Sequence, residues 1–581
     1  MQADVSHVTT VDKMAPQRLT FGTRRLGGQP MHKLLIKCVT MMLALAFFAT
    51  ACAGESTDNT NTDNGNTQTS APNEVSTNET NSAADPSSET TADPETATPT
   101  DPPTASNDGG DPQPNIYQDP RGGIFAEFQQ SFDRSDHPFT QTDHLCLPHE
   151  PAVNRTATDE GISAEAIRVG HIRSRLEDGI NLGFGVPVGN PKEMFEVFID
   201  YINDTCGGIR GRMLDLGYAQ AALIGDDVEA SRNAACLAMT EDHKSVIVMN
   251  SSGFQGTANL CLVEEQQTIF ISTQGQTEEF MDRSNGRLVS LSPTLEESLR
   301  FMVTDLLASG ALADLTLGVA APNTPGQVEA VEQALVEPLR EEGFEVVFDV
   351  IDCAGTEFCT GGVPASVANM VEAGVNGFFN VLNIISAPGY IAEMANQGYE
   401  PGSVRFFASD FNSQTSEIVA SQIANNVAAG ELYNGATIFD YRTTGIYRDP
   451  NYQPNPILET CNEIYSQHSP SGASHAWDTP GDSAYGMVGM VCAIVRVMAR
   501  ALYDAGNNPT LDDVREAITN LGPVDNNAMT PASIRPDKTQ MADAIQTLDF
   551  SFPCTQTLPF ERRDGDPICV TGRNDFRPAP R

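Results

Sequence analysis

The residues best placed to do chemistry in this sequence are polar side chains that follow apolar runs. Ser251 and Ser252 come after "SVIVMN" and before a helix starting near Gly256. Their hydroxyls and the nearby backbone N–H groups could hold a carboxylate at a helix N-terminus, or they could simply cap that helix. Ser272, Thr273 and Gln274 end or follow "TIFIST" in the same manner, as ligand contacts or as a turn. Asp410 closes "VRFFASD"; an anion at the mouth of a dry cleft favours a cationic group, with capping of the next helix as the other role open to it. Asn323, after "GVAA", and Asn383, after "GFFNVL", are further candidates that would serve equally well in turns. Hydroxyls, carboxamides and a carboxylate are the chemistry of recognition.

Catalytic patterns are missing from the sequence: it contains no GxSxG, HExxH, P-loop or dinucleotide GxGxxG after a strand. Neither His468 nor His475 has a nucleophile close by in sequence. No CxxC pair or Cys/His cluster has metal-ligand spacing, so neither a metal nor a cofactor is expected. With 77 acidic against 34 basic residues the net charge is -43, which argues against a nucleic-acid partner, because phosphate backbones need clustered cations.

The elements that must position these residues alternate. "IRVGHI" (167–172) reads as a strand, followed by a helix over 191–204 in which Met194, Phe198 and Tyr201 share one face. "MLDLGYA", a helix from Val228 to Met239, "SVIVMN", a helix from about Gly256 and "TIFIST" complete one series. A second series has the strands "LTLGVAA", "EVVFDVI", "NGFFNVL" and "VRFFASD", with helices at roughly 295–308, 326–341, 364–373 and 388–397. Apolar strands alternating with helices imply parallel sheets covered on both faces, and two series imply two doubly wound α/β lobes. Ligands of such sheets bind beyond the carboxyl ends of the strands, where the polar residues above lie. The long apolar segment 484–505 is interrupted by Arg496 and Arg500 and reads as a packed helix rather than a membrane span.

The ends of the chain speak of export. Lys33 and Lys37 precede an apolar run from Val39 to Ala51, too short to span a bilayer and suited to a signal peptide. It leads into "ATAC", which resembles the bacterial lipobox and makes Cys52 the expected lipidated N-terminus; two acyl chains anchor stably where one does not. Residues 1–30 read as an upstream extension. From Ala53 to Pro120 there is no Lys or Arg, and the Ser-, Thr-, Asn-, Asp- and Pro-rich composition cannot bury a core, so 52–120 is expected to be a disordered tether. Of 12 cysteines, Cys38 lies in the signal segment next to the apolar run and Cys52 is the lipidation candidate. The rest suit disulfides in an exported chain: Cys353 with Cys359, Cys554 with Cys569, and Cys236 with Cys261. The pairing of Cys146, Cys206, Cys461 and Cys492 stays open.

The helix ending "NDTCGGIRGR", the acidic "GDD" turn and the Ala-rich helix after it, with "SSGFQGTANLC", "IFIST", "NTPGQVEAVEQAL" and "VRFFASD" in order, resemble the periplasmic binding protein type 1 family, in particular branched-chain amino acid receptors of ABC transporters. The resemblance covers most of 165 to about 525. It implies two Rossmann-like lobes around a central ligand cleft, Gly207 and Gly208 as the left-handed cap of the first helix, and "IRGR" opening the second strand. It also implies main-chain and hydroxyl ligand contacts at Ser272, Thr273 and Gln274, and an ammonium-binding acid at Asp410. The chain departs from the family at Pro325, where relatives carry an aromatic residue, and in a long first loop whose Arg173, Arg175 and Phe184 could meet an anionic or aromatic solute. The domain boundaries that follow are 1–51 (extension and signal), 52–120 (tether), 121–164 (lead-in), 165–292 (lobe 1), 293–435 (lobe 2), 436–530 (return to lobe 1) and 531–581 (disulfide-containing tail). The implied function is capture of a small polar solute, such as an amino acid or an amide-like compound, by a monomeric, lipid-anchored, non-enzymatic protein that delivers it to an ABC permease. A lipid-anchored sensor or surface protein of the same fold, and a cryptic enzyme, are the alternatives.

Overall fold

The computed structural model describes residues 145–146, 154–182, 188–225, 227–356, 358–409, 417–442, 456–475, 484–524, 532–555, 568–573 and 575–579, all within the unit Ser106–Arg581. Cys52, the signal peptide, the tether, Phe184 and Asp410 lie outside these residues.

The first series of apolar runs forms β1 (Ala166–Ser174), β2 (Met213–Ala221), β3 (Ile247–Asn250), β4 (Ile269–Ser272) and β5 (Leu288–Ser290). They make an all-parallel sheet in the order β2-β1-β3-β4-β5. Between them run α1 (Pro191–Asp204), α2 (Val228–Leu237), the short α3 (Ala258–Leu260) and α4 (Glu278–Arg283). After the crossover helix α5 (Leu295–Ser309) come β6 (Leu317–Pro322), α6 (Gln327–Val331), α7 (Glu337–Glu341), β7 (Val346–Ile351), α8 (Val363–Glu372), β8 (Gly377–Asn380), α9 (Ser386–Asn396) and β9 (Arg405–Ser409). The helices α10 (Glu417–Asn425) and α11 (Val427–Tyr433) then lead to β10 (Thr437–Asp440). These strands pair as β7-β6-β8-β9-β10, all parallel. The order repeats that of the first sheet, so each sheet reverses its winding between its first and third strands.

Successive strand residues point to opposite faces, and both faces are apolar. In the first sheet Ile247 and Met249 pack with α1 on one side while Val248 packs on the other. In the second, Phe378 and Phe406 face one cluster, and Phe379 and Phe407 the other. A sheet buried on both faces has room for neither charge nor alternation, which is why these strands read as continuous apolar runs.

Three departures from the sequence reading are physical. First, Thr437–Asp440, assigned there to the return to lobe 1, pairs with β9 and closes the parallel part of the second sheet. Second, the tail is no appendage. After α12 (Pro456–His468), α13 (Ala484–Asp504), α14 (Leu511–Thr519) and a small ribbon of β11 (Gly522–Pro523) and β12 (Ser533–Ile534), strand β13 (Ala544–Thr555) pairs antiparallel with β10. The strands β14 (Ile568–Gly572) and β15 (Arg577–Pro578) pair antiparallel with β13, so the second sheet is mixed. Third, "IRGR" opens no strand. Ile209 and Arg212 bond to each other across a tight turn with Arg210 and Gly211 at φ 49° and 79°, and β2 starts one residue later.

The preceding "TCGG" ends α1 with Thr205 in right-handed conformation, and the left-handed residues are Gly207 and Gly208, at φ 73° and 76°. A Cβ on Gly208 would stand 2.1 Å from the carbonyl oxygen of Arg212, so the turn requires glycine there. Arg212 is buried and donates from Nε to Ser163 O at 2.8 Å and from Nη2 to Asn508 Oδ1 at 2.9 Å. The basic residues of this turn fasten the lead-in and the α13–α14 loop to the first sheet.

Of the described helices only α13 is long and apolar enough to cross a membrane, and most of it is buried against α1, α12 and α14. Arg500 within it donates to the carbonyls of Pro523 and Leu521. Five disulfides join Cys146 to Cys206, Cys236 to Cys261, Cys353 to Cys359, Cys461 to Cys492 and Cys554 to Cys569.

The chain passes between the sheets three times. At the first passage Ser290 donates its N–H to Thr539 O and accepts from Met541 N, at 3.1 and 2.7 Å, so the first and third passages run side by side. At the second, Tyr441 Oη lies 3.1 Å from Ser292 Oγ. Behind them Lys538 is buried, 3.2 Å from Asp543 and donating to Ser533 O and Met541 O at 3.0 and 3.1 Å.

Candidate functional site

The reversal of strand order in each sheet leaves a crevice at the carboxyl ends of β1 and β3, and of β6 and β8, where α/β sheets take ligands. In the first sheet Asn250, at the end of β3, organises the crevice. Its Nδ2 donates to Ile172 O and Ser252 O at 3.2 and 3.1 Å, and its Oδ1 accepts from Thr273 Oγ1 at 2.9 Å. This one carboxamide brings two of the sequence candidates together. Ser252 Oγ and Gln274 Oε1 are buried with no protein partner, whereas Ser272 Oγ is engaged by Gln274 N at 3.1 Å and Gln276 Nε2 at 3.3 Å in a turn.

Ser251 points elsewhere, to His171 Nε2 at 2.9 Å. That imidazole is fully buried and stacks on Phe195 with ring centroids 4.0 Å apart. Burial holds its pKa well below the ordinary 6.5, with the positive charges of Arg173 and Lys192 adding to the effect, so it is neutral near pH 7. A Ser–His pair suggests nucleophilic chemistry, but His171 Nδ1 has no partner to orient the ring and Ser251 is only 2 % exposed. Among the described residues no acid orients this ring as the acid of a triad would. Among the described residues no group of three or more His, Cys, Asp or Glu side chains could hold a metal ion.

Arg173 pairs with Glu177 at 3.0 Å and donates to Tyr218 Oη at 2.9 Å, while Arg175 pairs with Asp178 at 3.1 Å. Arg173, which the structure places in β1 rather than in the loop, and Arg175 therefore each already hold an acid of the loop after β1. In the second sheet Asn323 and Asn383 serve the loops. Asn323 Oδ1 accepts from Cys353 N and its Nδ2 donates to Asp352 Oδ1, both at 2.8 Å. Asn383 Oδ1 accepts from Ile385 N and Ser386 N at 3.1 and 3.0 Å.

A pocket between the two sheets' loops joins Pro325, singled out in the sequence, to residues that sequence reasoning missed. It is lined by Gln255, Gly256, Gly275, Gln276, Thr277 and Phe280 from the first, and by Pro325 and Gln327 from the second. The loops meet closely, since a Cβ on Gly326 would stand 3.1 Å from Thr277 Oγ1. Thr277 and Gln327 are 3 % and 4 % exposed, yet Thr277 Oγ1 and Gln327 Oε1 have no hydrogen-bond partner among the described residues. Buried polar atoms are almost always satisfied, so these two atoms, on residues that line one pocket from the two sheets' loops, leave hydrogen-bonding capacity there. No lining side chain is charged. The amide-rich stretches "QGQT" and "PGQ" were the available signal, reaching five residues beyond the ends of β4 and β6.

Just behind Thr277, the carboxylate of Glu296 accepts from Glu278 N at 3.0 Å. Burial, reinforced by the Glu278 carboxylate, pushes its pKa from the ordinary 4.5 to about 7. Glu278 in turn is paired with Arg300.

No family model matches the chain, and no curated protein matches it. Solved structures do. A fatty acid ABC transporter substrate-binding protein from Thermomonospora curvata is 14 % identical over 73 % of this chain and 95 % of its own, with a TM-score of 0.49. A possible leucine/isoleucine/valine-binding protein from Rhodopirellula baltica SH 1 is 12 % identical over 70 % and 96 %, with a TM-score of 0.49. An ABC transporter solute binding protein from Rhodopseudomonas palustris BisB5, in complex with 3,4-dihydroxy benzoic acid, is 13 % identical over 71 % and 98 %, with a TM-score of 0.49.

Proposed function

We propose that this protein is an extracytoplasmic solute-binding lipoprotein of an ABC transporter, of the periplasmic binding protein type 1 kind. It holds a small polar solute between its two lobes and passes it to a membrane permease. The observation that carries the reading is the pocket to which both sheets contribute a buried, unpartnered polar atom, Thr277 Oγ1 and Gln327 Oε1. A site completed only when two lobes meet suits capture and release better than turnover. The duplicated strand order and the three side-by-side passages give the lobes a common hinge, as closure around a solute requires. The lipobox-like "ATAC" supports anchoring through Cys52, and the tether behind it gives a monomeric receptor reach along the membrane surface.

In this reading Ser252, Thr273 and Gln274, in the first-lobe crevice at the ends of β3 and β4 and outside the pocket lining, extend the solute site, and Asp410 supplies the partner of an ammonium group if the solute carries one. The decisive experiment is gentle purification followed by denaturing mass spectrometry of whatever small molecule co-purifies, then calorimetric titration of that compound into wild type, Thr277→Val and Gln327→Leu. Each variant is expected to bind at least tenfold more weakly, about 1.4 kcal/mol. Wild-type affinity in both variants, or chemical conversion of the compound, would refute the assignment. For the anchor, Cys52→Ser is expected to move the protein out of the membrane fraction.

A further inference from the structure

One disulfide ties together the loops that follow three neighbouring strands of the second sheet. Cys353 and Cys359 stand in the loop after β7, six positions apart, and are 2 % and 1 % exposed. On one side Cys353 N–H donates to Asn323 Oδ1 at 2.8 Å, and Thr324 Oγ1 lies 4.0 Å from Cys353 Sγ. Asn323 and Thr324 follow β6 and lead directly into Pro325 and Gln327 at the interlobe pocket. On the other side Cys359 N–H donates to Ser386 Oγ at 2.8 Å, and Asn383 Nδ2 lies 3.8 Å from Cys359 Sγ. These two residues form the connection from β8 into α9.

We propose that the Cys353–Cys359 bridge is a positioning clamp of the solute site, holding the Asn323–Gln327 lip where it meets Thr277 and Phe280 of the other lobe. The proposal rests on the reading of that pocket as the solute site. The loop it closes carries Ala354 and Gly355 in left-handed conformation, at φ 49° and 70°. An Ala held there is strained, in a turn where its N–H donates to Asp352 Oδ1 at 2.9 Å. Opening it would withdraw the Cys353 N–H from Asn323 and leave the lip with fewer tertiary hydrogen bonds. Because a short ring removes little chain entropy from the unfolded state, the effect on the lip should exceed the effect on the whole fold. Burial of both cysteines keeps reductants from the sulfurs, so the clamp is built as a fixed part rather than a switch.

The test is hydrogen–deuterium exchange by mass spectrometry on the full mature chain, comparing wild type, Cys353→Ala/Cys359→Ala, and Cys554→Ala/Cys569→Ala as a same-lobe control. Peptides covering 323–327 and 383–386 are expected to exchange at least tenfold faster in the first variant and at the wild-type rate in the control. Unchanged exchange at 323–327, or equal acceleration in both variants, would overturn the proposal. Should the first variant not fold, Asn323→Leu keeps the bridge and removes the side-chain tie on one side; it should accelerate the 323–327 peptide, and its failure to do so is equally fatal. A second measurement titrates leucine and 3,4-dihydroxybenzoate into wild type and clamp variant. A compound that binds wild type should bind the variant at least tenfold more weakly, and equal affinity overturns the proposal. If neither compound binds wild type, the exchange data alone decide the clamp, and the result counts only against these solutes.

Discussion

Replacing Glu296 with glutamine should stabilise the protein at pH 8 and do so much less at pH 4.5. The side chain is 5 % exposed and accepts from backbone N–H groups, that of Glu278 at 3.0 Å and its own, bonds that a carboxamide oxygen can also accept. Burial, with Glu278 adding, raises its pKa from 4.5 to about 7 against the backbone bonds and Arg300, which favour the charge. Below pH 4.5 the group is protonated in both folded and unfolded chains and contributes no pH dependence. Between pH 4.5 and 7 the unfolded chain ionises while the folded one keeps its proton. The unfolded chain then binds fewer protons and stability falls as pH rises, levelling off above 7. At about 1.4 kcal/mol per tenfold the loss is roughly 3 kcal/mol. Glu296→Gln removes that penalty, so its stability relative to wild type should grow by roughly 3 kcal/mol from pH 4.5 to pH 8. Urea unfolding of both proteins at half-unit pH steps measures this difference, and the slopes of all other groups cancel in it. A difference that stays flat across the range would refute the argument that burial governs this carboxyl.

His171 should show the opposite slope. Its folded pKa is depressed by burial, so the unfolded chain takes up the extra proton as pH falls below about 6.5, and the stability present above that pH is progressively lost. His171→Gln should flatten this acid-side decline in urea unfolding, and an unchanged slope counts against a neutral buried ring. Lys538→Met would leave Asp543, 4 % exposed and 3.2 Å away, as an uncompensated buried charge, at a cost of roughly 3 to 5 kcal/mol. Adding Asp543→Leu should recover most of that in the same assay, whereas additive losses would show that the pair does not act as a unit.

The strands, the helices on their faces and the glycine turn after α1 were legible because each depends on local periodicity or on the backbone. Tertiary pairings were not. The sequence of "TIFD" at 437–440 is equally apolar in either sheet, and its place is decided by β9 and by a tail strand more than a hundred residues later. Asn323 and Asn383 follow strands just as a ligand-binding residue would, but what occupies their carboxamides is a disulfide loop that approaches only once β7 lies beside β6. Gln327 and Thr277 escaped notice for the converse reason: each looks like an ordinary residue at the start of a short helix until the two loops are seen face to face. The arginines of "IRGR" suggested a basic strand, and it is Ser163, Asn507 and Asn508, distant in sequence, that explain Arg212.

Three passages between the sheets also set the order in which the chain can become a protein. The first sheet is complete in its strands by Ser290, but α12, α13 and α14, which bury one of its faces, are made only after the second sheet's parallel strands. The second sheet in turn waits for β13 to cover the edge of β10, and an uncovered edge is a template for misassembly. Neither lobe can finish on its own. A chain threaded this way leaves both cores incomplete until α12–α14 and β13 are in place, which makes truncation at any of the three passages more damaging than the loss of a peripheral strand would suggest.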